Sequence, residues 1–239
     1  MAEQNLVYPI NVVRTAILVD GGFYRKCARH LWGQKSAEDR TDELIRYCYA
    51  HLKDGAKYEV RSLYRIFYYD CPPIGKSVFH PLKKSNVFFD KTPTYRWTIQ
   101  FFEELKKKRK VALRLGELSD GTANFNLTPE VTKALCTGKK ALSDLTENDF
   151  VFDVKQKGVD MKIGLDIASM AYKRQVNQII LIAGDSDFVP AAKLARREGL
   201  DFILDPMGSN IKDNLFEHID GLKSPWKARP SVDNTTENS

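Results

Sequence analysis

The chain has 239 residues, with 37 Lys and Arg against 31 Asp and Glu, a formal charge of +6 and a pI near 9.0. That length suits one large domain that buries its own core without disulfide or metal staples, and 43% apolar with 11% aromatic residues excludes global disorder. No apolar run approaches the ~20 residues of a membrane span, residues 1–14 lack the charged start and apolar stretch of a secretory signal, and a surplus of cations hints at a polyanionic partner.

The elements follow in chain order. Residues 15–20 are a short apolar run ending in Asp20-Gly21-Gly22, a buried strand opening into a turn. Helices are expected over 23–32 and 41–54, the second capped by Thr41 and stopped by Gly55. Residues 61–70 (RSLYRIFYYD) are rich in aromatics and read as a strand halted by Pro72-Pro73. A helix over 94–110 precedes a strand at 111–115. Residues 118–150 show no clear periodicity, 149–155 look extended, and a helix runs from 159 to about 174. Residues 178–183 (QIILIA) are a fully apolar strand, followed by the turn Gly184-Asp185-Ser186-Asp187 and a helix over 188–198 with Pro190 in its first turn and Gly199 beyond its end. A strand over 201–205 and a last helix over 210–219 complete the domain. Residues 1–14 read as an N-terminal extension, 15–222 as one domain, and 223–239 as a disordered polar tail. Apolar strands alternating with helices indicate an α/β protein whose parallel sheet is covered on both faces.

In such sheets ligands bind at the carboxyl ends of the strands, near a switch in strand order. Asp20, Asp185 and Asp187 lie at such ends, and Asp160 lies where an extended segment gives way to a helix. Four carboxylates brought together repel and raise one another's pKa. A hard cation such as Mg²⁺ relieves that repulsion, and the chemistry it favours is attack of water on a phosphodiester. Each acid also has a structural role open to it: Asp20 accepting turn hydrogen bonds, Asp187 as a helix N-cap, Asp160 facing a helix dipole. Asp166, at the edge of the stripe made by Ile163, Ile167 and Met170, needs a partner; the roles open to it are support of the metal site or, structurally, a bond to a backbone group near Asp20. Lys157 and Ser186 are lesser candidates for contact with phosphate. Cys27, Cys48, Cys71 and Cys136 are scattered, and the Cys27/His30 pair has no second half, so reduced thiols in a cytoplasmic protein are expected rather than a zinc site.

Three motifs carry a resemblance: VDGGFY at 19–24, KGVDMKIGLD at 157–166 and IAGDSDFVPAAKLARREG at 182–199, with RIFYYD ending at Asp70 and LRLGEL at 113–118 in order between them. In these the chain resembles the NYN domain, in the LabA-like branch of the PIN-like nucleases. The resemblance implies a three-layer α/β/α sandwich, a Mg²⁺ or Mn²⁺ site and RNA as substrate. It places the acidic cluster on Asp20, Asp160, Asp185 and Asp187. The chain departs from it at Phe23, where many relatives carry Asn, and at Asn214, where an acid is common.

Residues 72–114 carry 11 Lys and Arg against three Asp and Glu, a local excess of eight that leaves the rest of the chain at −2. Aromatics interleave with these cations, a combination suited to single-stranded nucleic acid. Lys83, Lys84, Arg96, Lys106, Lys107, Lys108 and Arg109 are the candidate phosphate contacts, with Tyr95 and Trp97 as candidate stacking rings. Most of these aromatics are expected to be core or lid, since Phe101, Phe102 and Leu105 recur at helical spacing. The function expected is a metal-dependent ribonuclease acting on single-stranded or structured RNA, as a monomer or a homodimer. The alternative is an RNA-binding or adaptor module of the same fold with little or no turnover. An aspartyl phosphatase is disfavoured because Gly21-Gly22 follows Asp20 where a second Asp is needed, and a Rossmann nucleotide binder because no G-x-G-x-x-G follows the first strand.

Overall fold

The structure, a computed structural model, describes residues 11–53 and 59–226. The first ten residues of the expected extension, the Gly55 stop signal and residues 227–239 of the expected tail lie outside the described residues.

Strand β1 (Asn11–Asp20) begins four residues before the expected start and leads into α1 (Gly21–Trp32) and α2 (Ala37–Ala50). Strand β2 (Glu59–Asp70), the hairpin β3 (Ser77–His80) and β4 (Ser85–Phe88), α3 (Pro93–Lys107) and β5 (Val111–Leu115) follow. Next come β6 (Glu117–Leu118), β7 (Asn124–Leu127), α4 (Pro129–Cys136), β8 (Phe150–Asp153) and β9 (Gln156–Lys157). The last elements are α5 (Val159–Tyr172), β10 (Gln178–Ile182), α6 (Val189–Arg197), β11 (Asp201–Asp205), α7 (Asp213–Phe216) and β12 (Gly221–Leu222).

Six strands form one parallel sheet in the order β12-β11-β10-β1-β2-β5. Its central strands are continuous apolar runs because both faces are covered, and Ala16, Ile17, Leu18 and Val19 are wholly buried. Side-chain alternation splits them between two cores. Leu18, Leu181 and Leu204 face α5, α6 and α7, whose Ile163, Ile167, Ala192 and Leu215 fill that side. Ile17, Val19, Ile180 and Ile182 face α1, α2 and α3, whose Tyr24, Leu44, Phe101 and Leu105 fill the other. The result is the three-layer α/β/α sandwich expected.

Strand order reverses between β1 and β10: the chain builds outward from β1 to β2 and β5, then returns to add β10, β11 and β12 on the other side. The crevice at that switch point is therefore bounded by the carboxyl ends of β1 and β10.

Several local expectations are corrected. Thr41 does not cap α2. Ser36 does, accepting from the Asp39 N–H at 3.0 Å, and the buried Thr41 hydroxyl donates back to the Ala37 carbonyl. The last helix shrinks from 210–219 to the single turn of α7. The basic segment contains an antiparallel hairpin, β3–β4, and residues 118–150 contain β7 and α4, with β7 pairing antiparallel to β8. The start of the expected tail is packed: the Trp226 ring lies 5.1 Å from Tyr47, and the Ser224 hydroxyl donates to Asp205. Among the described residues no helix is long and apolar enough to cross a membrane.

Candidate functional site

Asp20 is the last residue of β1 and also the N-cap of α1, accepting the Phe23 N–H at 3.1 Å. That turn depends on glycine at 21: a Cβ there would stand 2.6 Å from both the Asp70 carboxylate and the Tyr68 ring. Asp160 sits in the first turn of α5, entered through Gly158 in the left-handed region at φ 81°. Asp185 follows β10, and its Oδ1 accepts the Asp187 N–H at 3.1 Å, which closes the turn before α6. Asp187 is not the N-cap of α6. That position is Phe188, which has no capping side chain, so the carboxylate of Asp187 is left for another purpose.

The structure brings all four acids to the switch point. Burial raises the Asp20 pKa to about 6, helped by the charge of Asp160 and opposed by the Phe23 hydrogen bond. Asp160 is also raised, first by desolvation and then by Asp185 and Asp187 facing it. Mutual repulsion of hard oxygen donors is the condition a divalent cation relieves, so the donor set fits Mg²⁺ or Mn²⁺ in kind. Among the described residues, however, no three His, Cys, Asp or Glu side chains are grouped closely enough to hold a metal directly. The fit is thus to a hydrated ion reached partly through water, as Mg²⁺ is commonly bound. Phe23 closes over the start of the Gly184-Asp185 turn: a Cβ on Gly184 would meet its ring at 2.4 Å.

A fifth acid at this edge, Asp70, ends β2 and is almost fully buried. Arg25 donates to it at 2.9 Å, the Cys71 N–H at 2.8 Å and the Tyr68 hydroxyl at 3.2 Å. Burial still raises its pKa against the pull of Arg25. As a strand-end Asp it shares the sequence signal of Asp20, and only its partner Arg25 separates the two roles. Asp205, ending β11, is likewise enclosed by Tyr47 at 2.6 Å and His51 at 2.8 Å.

The secondary candidates scatter. Asp166 is structural: it accepts from the Tyr69 hydroxyl at 2.8 Å and from Arg114 at 3.0 Å, a partner on β5 rather than a backbone group near Asp20. Lys157 is exposed on β9, paired opposite Glu117 of β6. The Ser186 side chain lies outside the described residues.

The basic segment divides in two. Lys106, Lys107, Lys108 and Arg109 immediately precede β5, so they lie at the amino edge of the sheet, the edge opposite Asp20. Lys106 pairs with Glu103 at 2.6 Å, Lys107 with Glu104 at 2.7 Å and Lys108 with Asp42 at 2.6 Å. Lys83 pairs with Glu147 at 2.7 Å, and Lys84 occupies the turn of the β3–β4 hairpin at φ 51°. Arg96 is exposed and Tyr95 half-buried in the first turns of α3. Phe101 and Phe102 are core, as expected. Trp97 is half-buried, stacked on Phe101 at 5.1 Å, and its indole N–H donates to the Lys35 carbonyl at 2.9 Å.

Comparison with known proteins bears on this geometry. Among solved structures the chain is similar to a protein of unknown function from Vibrio parahaemolyticus, at 15% identity over 88% of this chain and 91% of that one, with a TM-score of 0.45. No curated protein matches it. The family model of the NYN domain matches residues 93–215, a stretch that holds Asp160, Asp185 and Asp187. The chain belongs to the NYN domain family of the PIN-like nuclease superfamily.

Proposed function

We propose that the protein is a metal-dependent ribonuclease of the LabA-like branch. The observation that carries this reading is the convergence of Asp20, Asp160, Asp185 and Asp187 on the switch point of an NYN-type sheet, where Asp20 is pushed up to about 6 and Asp160 is raised. Asp20 and Asp160 would hold Mg²⁺ or Mn²⁺ from one side, and Asp185 and Asp187 from the turn before α6. When bound, such a cation neutralises charge at the scissile phosphate and makes water a better nucleophile at neutral pH. Asp20 ionises within the working range, so near neutrality it presents a carboxylate fixed by the Phe23 N–H. The turn hydrogen bond from Asp187 to Asp185 orients the second pair. Phe23, packed against Gly184, presents an apolar ring beside the Gly184-Asp185 turn.

The second reading, an RNA-binding module without turnover, is favoured by the spacing of the acids and by the Phe23 ring where relatives carry Asn. One experiment separates the two. Labelled single-stranded and hairpin RNAs are incubated with the protein and Mg²⁺, Mn²⁺ or EDTA, beside Asp185→Asn. The nuclease reading expects cleavage that needs the cation and falls by about 100-fold in the variant. Cleavage that survives both EDTA and the substitution excludes the carboxylate site. Binding without cleavage in every condition establishes the module.

A further inference from the structure

A second concave site lies beside the acidic edge. It is a cleft of about 740 Å³ whose walls are α1, the loop joining α1 to α2, and the first turns of α3. Arg25, Lys26, Arg29, Lys35 and Arg40 line it, and no Asp or Glu does. Three of these cations are already engaged: Arg25 with Asp70, and both Lys35 and Arg40 with the buried Glu43. Lys26 and Arg29 are exposed and have no ion-pair partner among the described residues. Two buried carboxylates against five cations leave the cleft at about +3.

The opposite wall supplies a ring. Trp97 lines the cleft with one face held against Phe101 at 5.1 Å and 11°, and its N–H is tied to the Lys35 carbonyl. It is a fixed platform whose hydrogen-bonding group is already satisfied, so what it offers a ligand is an aromatic surface. Unpaired cations facing a rigid indole match a nucleotide, phosphate on one side and base on the other.

The cleft is also joined to the acidic edge. Asp20 caps α1, and Arg25 and Arg29 lie one to two turns further along the same helix, roughly 8–14 Å from the cap. Arg25 touches both regions, since it lines the cleft and holds Asp70.

We infer that this cleft takes a nucleotide of the RNA strand flanking the one presented to the acidic edge, with Lys26 and Arg29 on its phosphate and Trp97 against its base. The inference rests on RNA as the ligand and is independent of turnover. It shifts the phosphate contacts from Lys106–Arg109 on the amino edge to α1.

Fluorescence anisotropy with a labelled oligouridylate of about ten nucleotides, in EDTA so that no cleavage intervenes, tests it on the full chain. Lys26→Gln with Arg29→Gln, both on the exposed face of α1, should weaken binding by roughly tenfold and flatten the logarithmic salt dependence by about 1.4. Trp97→Leu should weaken binding several-fold and leave the salt dependence unchanged. Lys106→Gln with Lys107→Gln should stay within about twofold of the wild type. Wild-type affinity in the Lys26/Arg29 variant, or a larger loss in the Lys106/Lys107 variant, overturns the assignment. Uridine monophosphate that binds as tightly as the oligomer also overturns it, because the site would then serve a free nucleotide. Failure of the nuclease reading looks different: the cleft variants weaken RNA binding while no condition gives cleavage.

Discussion

Asp20, Asp70 and Asp205 are each the last residue of a parallel strand, and the three have different fates. Arg25 covers Asp70, while Tyr47, His51 and Ser224 enclose Asp205. Asp20 faces Asp160 instead, and burial lifts its pKa to about 6 from an ordinary 3.8. A raised carboxyl is stabilising when protonated, so its contribution is complete below pH 3.8, declines through that window and is lost above about 6. Asp20→Asn keeps an acceptor for the Phe23 N–H and removes the buried charge. In EDTA at pH 8 the variant should be more stable than the wild type by about 1–3 kcal/mol, and at pH 4 the difference should nearly vanish. Denaturant titrations at both pH values check this, and a gain that persists at pH 4 would place its cause elsewhere. Mg²⁺ added at pH 8 should narrow the gap, because only the wild type keeps the full acid set.

At the scale of elements, the crevice is shaped by two glycines that admit no side chain. The Cβ of Gly21→Ala would collide with Asp70 and Tyr68, whose positions are fixed by burial, and Gly184→Ala would collide with Phe23. Overpacking of this kind costs about 1–3 kcal/mol. The two substitutions should diverge in one respect. Phe23 is half-buried and can swing outward, so Gly184→Ala with Phe23→Ala should recover most of the loss. Gly21→Ala has no such remedy, because its neighbours belong to the core. Thermal unfolding of the single and double variants decides the point.

At the scale of the molecule, stability is unevenly distributed. The sheet and its two helical layers hold most of the buried residues, whereas β7, α4 and β8 bury none. That lobe is held by tilted ring contacts to the β3–β4 hairpin and the turn after it: Phe89 with Phe152 at 4.2 Å and His80 with Phe125 at 4.4 Å. Segments with few buried apolar contacts open first. Hydrogen exchange should therefore show β7 and β8 exchanging well before β1 and β10, and equal protection would mean that the lobe and sheet unfold as one unit. Charge is divided on the same scale. Acids gather at the carboxyl edge, the unpaired cations of α1 stand beside them, and the Lys106–Lys108 run lies at the far edge with its charge partly answered by Glu103, Glu104 and Asp42.

Much of this was legible in the residues alone. The apolar runs of β1, β10 and β11 and their alternation with helices set the class, since a strand buried on both faces has few other places to go. The motifs at Asp20, Asp160 and Asp185-Ser186-Asp187 marked these acids by their place at element junctions: Asp20 and Asp185 follow strands of the parallel sheet at its ligand edge, while Asp160 opens α5 just after β9, a strand outside that sheet. The hairpin of residues 77–88 and the lobe over 118–150 escaped that reading, for they are short, half-exposed and lack a sustained period. Cap choice escaped it as well, since Ser36 and Thr41 are both competent caps and burial of Thr41 decided between them. What only the tertiary structure settled is pairing. Local sequence does not say that Arg25 reaches Asp70, that Phe23 closes over Gly184, or that Trp97 faces the cations of α1. Those contacts join residues far apart in the chain or on different elements: Phe23 meets Gly184 because β10 returns to lie beside β1, whereas Arg25 reaches Asp70 and Trp97 faces α1 because β2 pairs with β1 and α3 packs against α2 on the other side of that switch.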